Sequence, residues 1–304
     1  MTRGTTPTVG FIGAGRMAQA LAVALDASGY SVVAVSSRTP ASAQRLAAAV
    51  PGVMVCAQAQ GVADAASLVF ITTPDDAIAA VDAAVAWQGG QVVAHCSGSL
   101  ASGVLAHAQA CGAAVASAHP ITTAPGFGLP AAWFEGVGFG AEGDAAALRV
   151  LRELVSAIGG YLFEIAPERK ALYHLAGVVA CNHLVTLLAM AEDLMAAAGV
   201  DPQVAAPALR HIAGQTLANA ARFGLPGALS GPVARGDLGT VQRHLAGLAE
   251  GAPDYLPLYR EMVLATIPIG ERKGTLTPEQ AAALRDITTA ADGPAAAGHL
   301  RSGG

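Results

Sequence analysis

The chain has 304 residues, which is long enough for two domains with buried cores. Its net charge is −5, only 13% of its residues are charged, and it has no basic run, which argues against nucleic acid or an anionic membrane surface as a partner. The hydrophobic fraction of 53% comes mainly from alanine. The best apolar run, residues 175–190, is interrupted by Asn182 and His183, so we expect no membrane-spanning helix.

Cysteine usage and the N-terminus bear on where the protein resides. The four cysteines, at positions 56, 96, 111 and 181, are far apart and form no Cys-x-x-Cys pair, so the sequence suggests neither disulfides nor a metal site. The apolar stretch near the N-terminus contains a glycine-rich turn, which is not typical of a signal peptide. We therefore expect a cytoplasmic protein with reduced thiols and a small-molecule substrate.

Residues 8–18 read TVGFIGAGRMA, a short apolar strand followed by Gly-x-Gly-x-x-Ala and an alanine-rich helix. Gly13 permits a tight turn, Gly15 lets a pyrophosphate approach the backbone, and Ala18 lets the helix lie close to the strand. A helix over 16–27 and a strand over 31–35 complete the βαβ unit that the motif requires. The pattern predicts a dinucleotide-binding turn. Its predicted cofactor contacts are Gly13, Ala14, Gly15, Arg16 and Met17.

The second strand ends in Ser-Ser-Arg-Thr at residues 36–39, about twenty residues after the glycine motif, where an NAD site carries an Asp or Glu for the ribose 2′-hydroxyl. The hydroxyls of Ser36 and Ser37 and the guanidinium of Arg38 suit a 2′-phosphate instead. The sequence therefore predicts NADP(H) and favours NAD(H) less. Alternatively, Arg38 is a solvated loop residue and Thr39 only caps the next helix.

Strand-like and helical segments alternate as far as residue 165. Further strands are expected at residues 53–56, 68–72, 91–96, 114–118, 136–140 and 161–165, with helices between them such as 77–86 and 100–110. This alternation predicts an α/β fold, a Rossmann-type, doubly wound parallel sheet with helices on both faces. We place this NADP-binding domain at residues 7–166.

Strand patterns stop after residue 166. Helices are expected over 168–198, 202–223, 237–249, 254–267 and 278–290. Residues 167–291 are therefore predicted to form an all-helical domain for substrate binding and dimerisation. Residues 292–304 are rich in alanine and glycine, and we expect a disordered tail there.

Candidate site residues follow the strands, because a doubly wound sheet binds its ligand at the carboxyl ends of its strands. Thr72, Thr73 and Pro74 follow one strand and are predicted to flank the nicotinamide ribose. Two carboxylates come next, Asp75 and Asp76. We interpret them as favourable first-turn residues of a helix, without a catalytic role.

The segment His-Cys-Ser-Gly-Ser at residues 95–99 follows the next strand and opens a helix. Its hydroxyls and backbone amides suit a substrate carboxylate, with Ser97 and Gly98 as the binding residues. Equally, the serines are simple helix caps. His119 follows another strand and can bind a substrate oxygen or exchange a proton near neutral pH, although many such histidines only make structural hydrogen bonds.

The first helix of the second domain carries Lys170 and His174 one turn apart on one face. Asn182 lies deeper in the same apolar run, where a buried amide needs hydrogen-bond partners. A cleft between the domains would satisfy that need. The alternative is that Lys170 and His174 are solvated residues at the start of the helix.

Together these motifs identify a resemblance over nearly the whole chain. They are GFIGAGRMA at 10–18, HCSGS at 95–99, HP at 119–120, KALYHLAG at 170–177 with Asn182, and SGPVARGD at 230–237. The sequence resembles Rossmann-like oxidoreductases with a helical C-terminal domain of unknown function, DUF2520. These proteins are related to pyrroline-5-carboxylate reductase and the β-hydroxyacid dehydrogenases, and the C-terminal domain is similar to that of 6-phosphogluconate dehydrogenase.

The resemblance implies an NAD(P)-dependent enzyme and a homodimer. Lys170 looks like the helix-borne lysine that polarises the reacting oxygen in β-hydroxyacid dehydrogenases, and His174 stands where those enzymes have Asn. The His-Pro pair is similar to one in prephenate dehydrogenases, where the histidine touches the substrate, which favours a catalytic role for His119.

The loop at residues 230–237 adds Arg235, whose guanidinium can bind a carboxylate bidentately. We therefore predict an NADP(H)-dependent oxidoreductase that reduces a small carboxylate-bearing carbonyl or imine, such as the 2-oxo acid ketopantoate or a cyclic imine. Ser97 and Arg235 would hold the carboxylate, and Lys170 with His174 or His119 would supply the proton. The alternatives are a non-catalytic NADP(H) sensor and a deazaflavin-linked NADP reductase.

Overall fold

A computed structural model describes residues 6–290 of the chain. By their contacts the residues form two compact units, which divide between Ala180 and Cys181. The predicted order, an α/β domain followed by helices, is confirmed. The disordered tail expected at residues 292–304 lies outside the described residues.

The first unit is built on one eight-stranded sheet. Its strands are β1 (Val9–Ile12), β2 (Val32–Ser36), β3 (Met54–Cys56), β4 (Leu68–Ile71), β5 (Val92–His95), β6 (Ala114–Pro120), β7 (Gly138–Gly143) and β8 (Tyr161–Glu164). They lie in the order β3-β2-β1-β4-β5-β6-β7-β8. The strand order reverses at β1 and β4, and a sheet of this kind binds ligands beside that reversal.

The sheet is mostly, but not entirely, parallel. Strands β1 to β6 pair in parallel, whereas β7 runs antiparallel to β6, with His119 opposite Gly140. The fully parallel sheet expected from the sequence is corrected at this edge. The reason is the connection over residues 121–137, which holds only the 3-10 turn Ala131–Phe134, and a link without a crossover helix brings the next strand back antiparallel.

Helices cover both faces of the sheet, as predicted. They are α1 (Arg16–Ala27), α2 (Pro40–Ala49), α3 (Ala59–Ala65), α4 (Asp75–Ala83), α5 (Ala106–Ala110), α6 (Ala145–Ala157) and α7 (Lys170–Val178). Neighbouring residues of β1 point to opposite faces, so Phe11 packs in one core with Leu21 of α1, and Ile12 packs in the other with Ile78 of α4. The sequence analysis missed α3, a short helix.

All regular elements of the second unit within the described residues are helical. They are α8 (Leu184–Ala197), α9 (Pro202–Ala228), α10 (Leu238–Gly251), α11 (Leu256–Lys273) and α12 (Pro278–Thr289). Val241, Val263, Ile267 and Leu284 form its core. A capping box begins α12, in which Thr277 and Gln280 bond to each other's backbone amide.

One helical segment, Pro167–Ala197, is long and apolar enough to span a membrane by length and composition, and only 6% of its most apolar window is buried. The sequence analysis, which required an uninterrupted run, expected no such segment. The segment contains a π-helical turn, Val179–His183, in which Asn182 is exposed. The buried amide expected at this position is thus corrected, because no residue of the described chain covers that side of the turn.

Candidate functional site

The glycine turn lies where β1, β2 and β4 end side by side. Gly13 adopts φ 105°, its amide donates to Ser36 O at 2.8 Å, and the Thr72 hydroxyl donates to its carbonyl at 2.9 Å. A Cβ on Gly13 would lie 2.7 Å from the Thr72 carbonyl carbon, so both the backbone angle and the contact require glycine. The sequence rationale for Gly13 is therefore met in the structure.

Beside this turn lies a cavity of about 570 Å³ within the first unit. Its lining includes Gly13, Ala14, Gly15, Ser36, Ser37, Arg38, Thr39, Ser42, Thr72, Thr73, Pro74 and Phe127. Gly15 is the N-cap of α1 and has open space where a Cβ would stand, so the first amides of the helix are accessible to an anion. Among the described residues that line the cavity, none is Asp or Glu.

These features fit a dinucleotide with a 2′-phosphate. The missing Cβ at Gly15 leaves room for a pyrophosphate, and the Thr73 hydroxyl, on the cavity wall, is buried without a hydrogen-bond partner in the described structure. Arg38 is exposed beside Ser37, with no carboxylate on the wall to compete for it. Nine of the eleven predicted cofactor residues line the cavity.

Two predicted cofactor residues, Arg16 and Met17, are not part of the cavity lining. The Arg16 guanidinium donates to Pro125 O at 3.2 Å, and Met17 packs against the core. Ser42 and Phe127 are among the lining residues that the sequence analysis did not predict. Ser42 lies on α2, three residues after Thr39, a helical spacing that could have identified it, whereas Phe127 comes from the long β6–β7 connection, where no local pattern marks it.

The turn after β5 is tightly organised by Asp75. The hydroxyls of Ser97 and Ser99 both donate to the Asp75 carboxylate, at 2.7 and 2.9 Å. The Ser97 oxygen in turn accepts from the backbone amides of Ser99 and Leu100. The Ser97 hydroxyl is therefore engaged within its own turn, which favours the capping interpretation, and Asp75, to which the sequence analysis gave no role at this turn, positions both serines.

His95, the last residue of β5, is fully buried behind the same turn. Its Nδ1 atom accepts from the Ser97 amide at 3.2 Å, and its Nε2 atom lies 3.3 Å from Ala101 O. Burial, reinforced by the charge of Lys170, lowers the pKa of His95 to about 4. His95 is therefore a neutral structural residue at physiological pH.

Lys170, predicted to polarise the reacting oxygen, is 1% exposed. Its ammonium donates to Ser97 O at 3.1 Å and to the Ser117 hydroxyl at 2.5 Å. Burial lowers the pKa of Lys170, while the charges of Glu142 and Asp75 oppose that shift. In this arrangement Lys170 anchors the turn after β5 from behind, which explains why α7 groups with the first unit.

Three other predicted residues, His119, His174 and Gly98, lie together at the end of β6. The two imidazole rings are 5.8 Å apart, edge to face. A Cβ on Gly98 would lie 2.5 Å from His174 Cδ2 and 3.0 Å from His119 Nε2, so only glycine leaves room for both rings. Burial, together with the charges of His174 and Lys170, lowers the pKa of His119 to about 4.

A residue that the sequence analysis did not select, Tyr173, completes this cluster. Its hydroxyl lies 3.0 Å from His119 Nδ1 and donates to His119 O at 3.0 Å, while the Gly140 amide donates to it at 3.2 Å. Burial raises the pKa of Tyr173 to about 12. The position of Tyr173 between Lys170 and His174 on α7 was the available signal.

Two predicted substrate residues belong to the second unit. Asn182 lies in the π-helical turn, and its carbonyl accepts from the Thr186 hydroxyl. Arg235 is exposed at the end of the 3-10 turn Val233–Arg235. Asp237 caps α10 by accepting from the Thr240 amide at 3.0 Å.

Comparisons with known proteins agree with this architecture. Residues 2–120 match the model of a Rossmann-like domain, and residues 137–266 match that of the domain of unknown function DUF2520. No curated protein sequence matches the chain. The resemblance to Rossmann-like proteins with a DUF2520 domain, predicted from the sequence motifs, is confirmed.

Solved structures extend the likeness over most of the chain. Protein TM1727 of Thermotoga maritima is 25% identical, with a TM-score of 0.70, and the match covers 88% of this chain and all of that one. A reductive aminase of Aspergillus terreus in complex with NADPH4 is 21% identical, with a TM-score of 0.62, over 93% and 99% of the two chains. The Plasmodium falciparum pyrroline carboxylate reductase with NADP bound is 12% identical, with a TM-score of 0.60, over 90% and 98%.

Proposed function

Because the chain carries a Rossmann-like domain followed by a DUF2520 domain, we propose that it is an NADP(H)-dependent oxidoreductase. The observation that carries the proposal is the cavity at the ends of β1, β2 and β4. It combines accessible amides at the start of α1 with Ser37, Arg38 and Ser42, and no carboxylate of the described residues lines it. The NADP and NADPH4 complexes of the two similar reductases support this choice of cofactor.

Each part of the cavity would hold a distinct part of NADP(H). The amides after Gly13 would bind the pyrophosphate, and Arg38 with the neighbouring hydroxyls would bind the 2′-phosphate. Thr72, Thr73 and Pro74 would flank the ribose on the nicotinamide side. When bound, the cofactor supplies or removes a hydride, and the residues of this chain bind and orient the reactants.

We propose that the substrate is a small carbonyl or imine compound that binds beside Gly98, His119 and His174. Gly98 follows β5, His119 lies at the end of β6, the strand paired with β5, and His174 lies on α7. The two histidines were predicted to be catalytic and Gly98 to bind the substrate, and the missing side chain of Gly98 is what lets both rings approach its backbone. The Ser97 hydroxyl is already bonded to Asp75 and is not part of this proposal. The substrate roles given to Asn182 and Arg235 stay predictions.

We further propose a homodimer formed through the helical segment Pro167–Ala197 and α9. The support is the apolar side chains that these helices leave exposed in one chain, with exposed fractions of 50% or more. They are Leu172, Leu175, Val179, Val185, Val204, Ile212, Leu217, Phe223 and Leu225. Many exposed apolar side chains on a few helices are typical of an interaction surface.

Cofactor choice is tested at Arg38. Replacing Arg38 with Ala removes the charged partner of the 2′-phosphate, so the dissociation constant for NADPH should rise about 10- to 100-fold, because a hydrogen bond to a charged group contributes about 1.5–3 kcal/mol. The dissociation constant for NADH should not change. Isothermal titration calorimetry measures both, and Arg149→Ala, an exposed arginine on α6, is the matched control. Equal losses for the two cofactors would contradict the assignment.

A further inference from the structure

We propose that Tyr173 is a positioning residue that holds His119 in its Nδ1–H tautomer and thereby leaves His119 Nε2 as a hydrogen-bond acceptor facing the substrate. The inference deepens the proposed function. It rests on that function only where it says that the Nε2 acceptor contacts the substrate. The tautomer itself depends only on the contacts of Tyr173 with β6 and β7.

The donor and acceptor capacity of the Tyr173 hydroxyl determines the tautomer of His119. A phenol carries one proton and accepts through its oxygen. Of its three partners, the His119 carbonyl can only accept and the Gly140 amide can only donate. The single phenolic proton is therefore given to the carbonyl, so the contact of 3.0 Å with His119 Nδ1 is a hydrogen bond only if Nδ1 carries the proton.

The geometry around Tyr173 holds this arrangement in place. Its ring packs directly on Gly140, where a Cβ would lie 2.4 Å from Cζ, and Phe163 contacts it edge to face at 6.0 Å. Gly140 lies opposite His119 in the antiparallel pair of β6 and β7. Tyr173 thus bridges two neighbouring strands, with one backbone group of each within hydrogen-bond distance of its hydroxyl.

The other ring nitrogen of His119 lies beside Gly98, where we propose that the substrate binds. Its Nε2 atom lies 3.0 Å from the position of a Cβ on Gly98 and has no hydrogen-bond partner within residues 6–290. The charged and titratable groups that act on it are His174, Lys170 and Asp75. Two of these can carry positive charge, and the ring is largely buried, so both effects keep His119 neutral and its Nε2 lone pair available.

A substrate that forms a hydrogen bond with an accepting Nε2 atom must supply the donor. A protonated imine nitrogen, a hydroxyl or an amine can donate to it, whereas the bare oxygen of an oxo acid cannot. Hydride addition to a protonated imine is balanced without a proton from His119: the hydride pair forms the new C–H bond and the C=N π pair becomes the amine lone pair. The geometry therefore favours protonated imines over 2-oxo acids among the proposed substrates.

The other buried histidine supplies an internal reference. His95 accepts at Nδ1 from the Ser97 amide, so its proton is on Nε2 and is donated towards Ala101 O. The structure thus assigns opposite tautomers to two neutral histidines that lie at the ends of adjacent strands. Nitrogen-15 NMR of histidine side chains distinguishes the two tautomers and the imidazolium by their chemical shifts.

The test is that spectrum, recorded near pH 7 on the full chain without cofactor, with His119 assigned from its absence in His119→Gln. We expect the Nδ1–H tautomer for His119 in the wild type and, in Tyr173→Phe, a change to the Nε2–H tautomer or a mixture. His95 should keep Nε2–H in both. Tyr259→Phe is the matched control, because Tyr259 contacts His244 at 2.8 Å and not His119.

An Nε2–H or imidazolium form of His119 in the wild type would overturn the proposal, and so would an unchanged tautomer in a folded Tyr173→Phe. If Tyr173→Phe does not fold, the wild-type spectrum alone decides. Because no cofactor or substrate is added, a failure here is distinct from a failure to bind NADP(H).

Discussion

At the scale of single residues, the most informative difference from the sequence analysis is Lys170. Its position one turn before His174 predicts a lysine that shares the site, but the ammonium points into the sheet and bonds to Ser97 O and Ser117 Oγ. These partners lie 73 and 53 residues away in sequence. Helical spacing indicates which residues share a face of the helix. It does not show in which direction a long side chain extends from that face or which polar groups it reaches.

His95 makes stability depend on pH. Its folded pKa is about 4, below the ordinary 6.5, so between these values the unfolded chain binds a proton that the folded chain does not. The free energy of unfolding should therefore rise as the pH increases from about 4 to 6.5, by up to about 3 kcal/mol from this group. Protonation of His95 would also place a proton on Nδ1, which would then face the Ser97 N–H and could no longer accept its hydrogen bond.

Urea denaturation at pH 4.5 and pH 7 measures this effect. In His95→Gln the difference in unfolding free energy between the two pH values should be smaller than in the wild type. His211→Gln, an exposed histidine on α9, should behave like the wild type. An undiminished pH difference in His95→Gln would show that other groups cause it.

At the scale of elements, the sequence predicted those whose signals are local. The strand and helix around Gly13 carry both periodicity and a glycine motif, and the predicted helix, residues 16–27, has the same bounds as α1. The antiparallel β7 and the place of α7 depend on pairing partners far along the chain, which local patterns do not encode. The cluster of Tyr173, His119 and Gly140 exists only because those two elements meet.

The candidate site also has parts that local sequence patterns predict and parts that they do not. Most of the cofactor cavity follows from residues directly after strands, where the fold class already implies a ligand. The roles of Asp75 and Tyr173 could not be predicted, because each depends on a hydrogen bond to a segment more than twenty residues away. A carboxylate at a helix start and a tyrosine on a helix face are both ordinary in sequence.

At the scale of the whole molecule, the proposed homodimer should be sensitive to charge on the segment Pro167–Ala197. Val185, 64% exposed on α8, would be buried in the dimer, so Val185→Glu should shift the protein from twice the 30.2 kDa chain mass to a single chain. Light scattering after size-exclusion chromatography measures the mass. Val55→Glu, on edge strand β3 of the first unit, is the matched control and should remain dimeric.

A wild-type protein that elutes as a monomer would contradict the dimer. If the protein is recovered only with detergent or lipid vesicles, the apolar segment binds a membrane and not a second chain.

The central claim is that the cavity beside Gly13 holds NADPH and that its hydride reaches a substrate beside Gly98. The direct measurement is the rate of NADPH oxidation with a panel of cyclic imines and 2-oxo acids, for the wild type and for Gly98→Ala, whose Cβ would crowd both histidine rings. We predict turnover of at least one imine by the wild type, and a rate lower by about 100-fold in Gly98→Ala with NADPH affinity unchanged. NADPH binding without turnover of any compound, or equal rates for the two proteins, would contradict it.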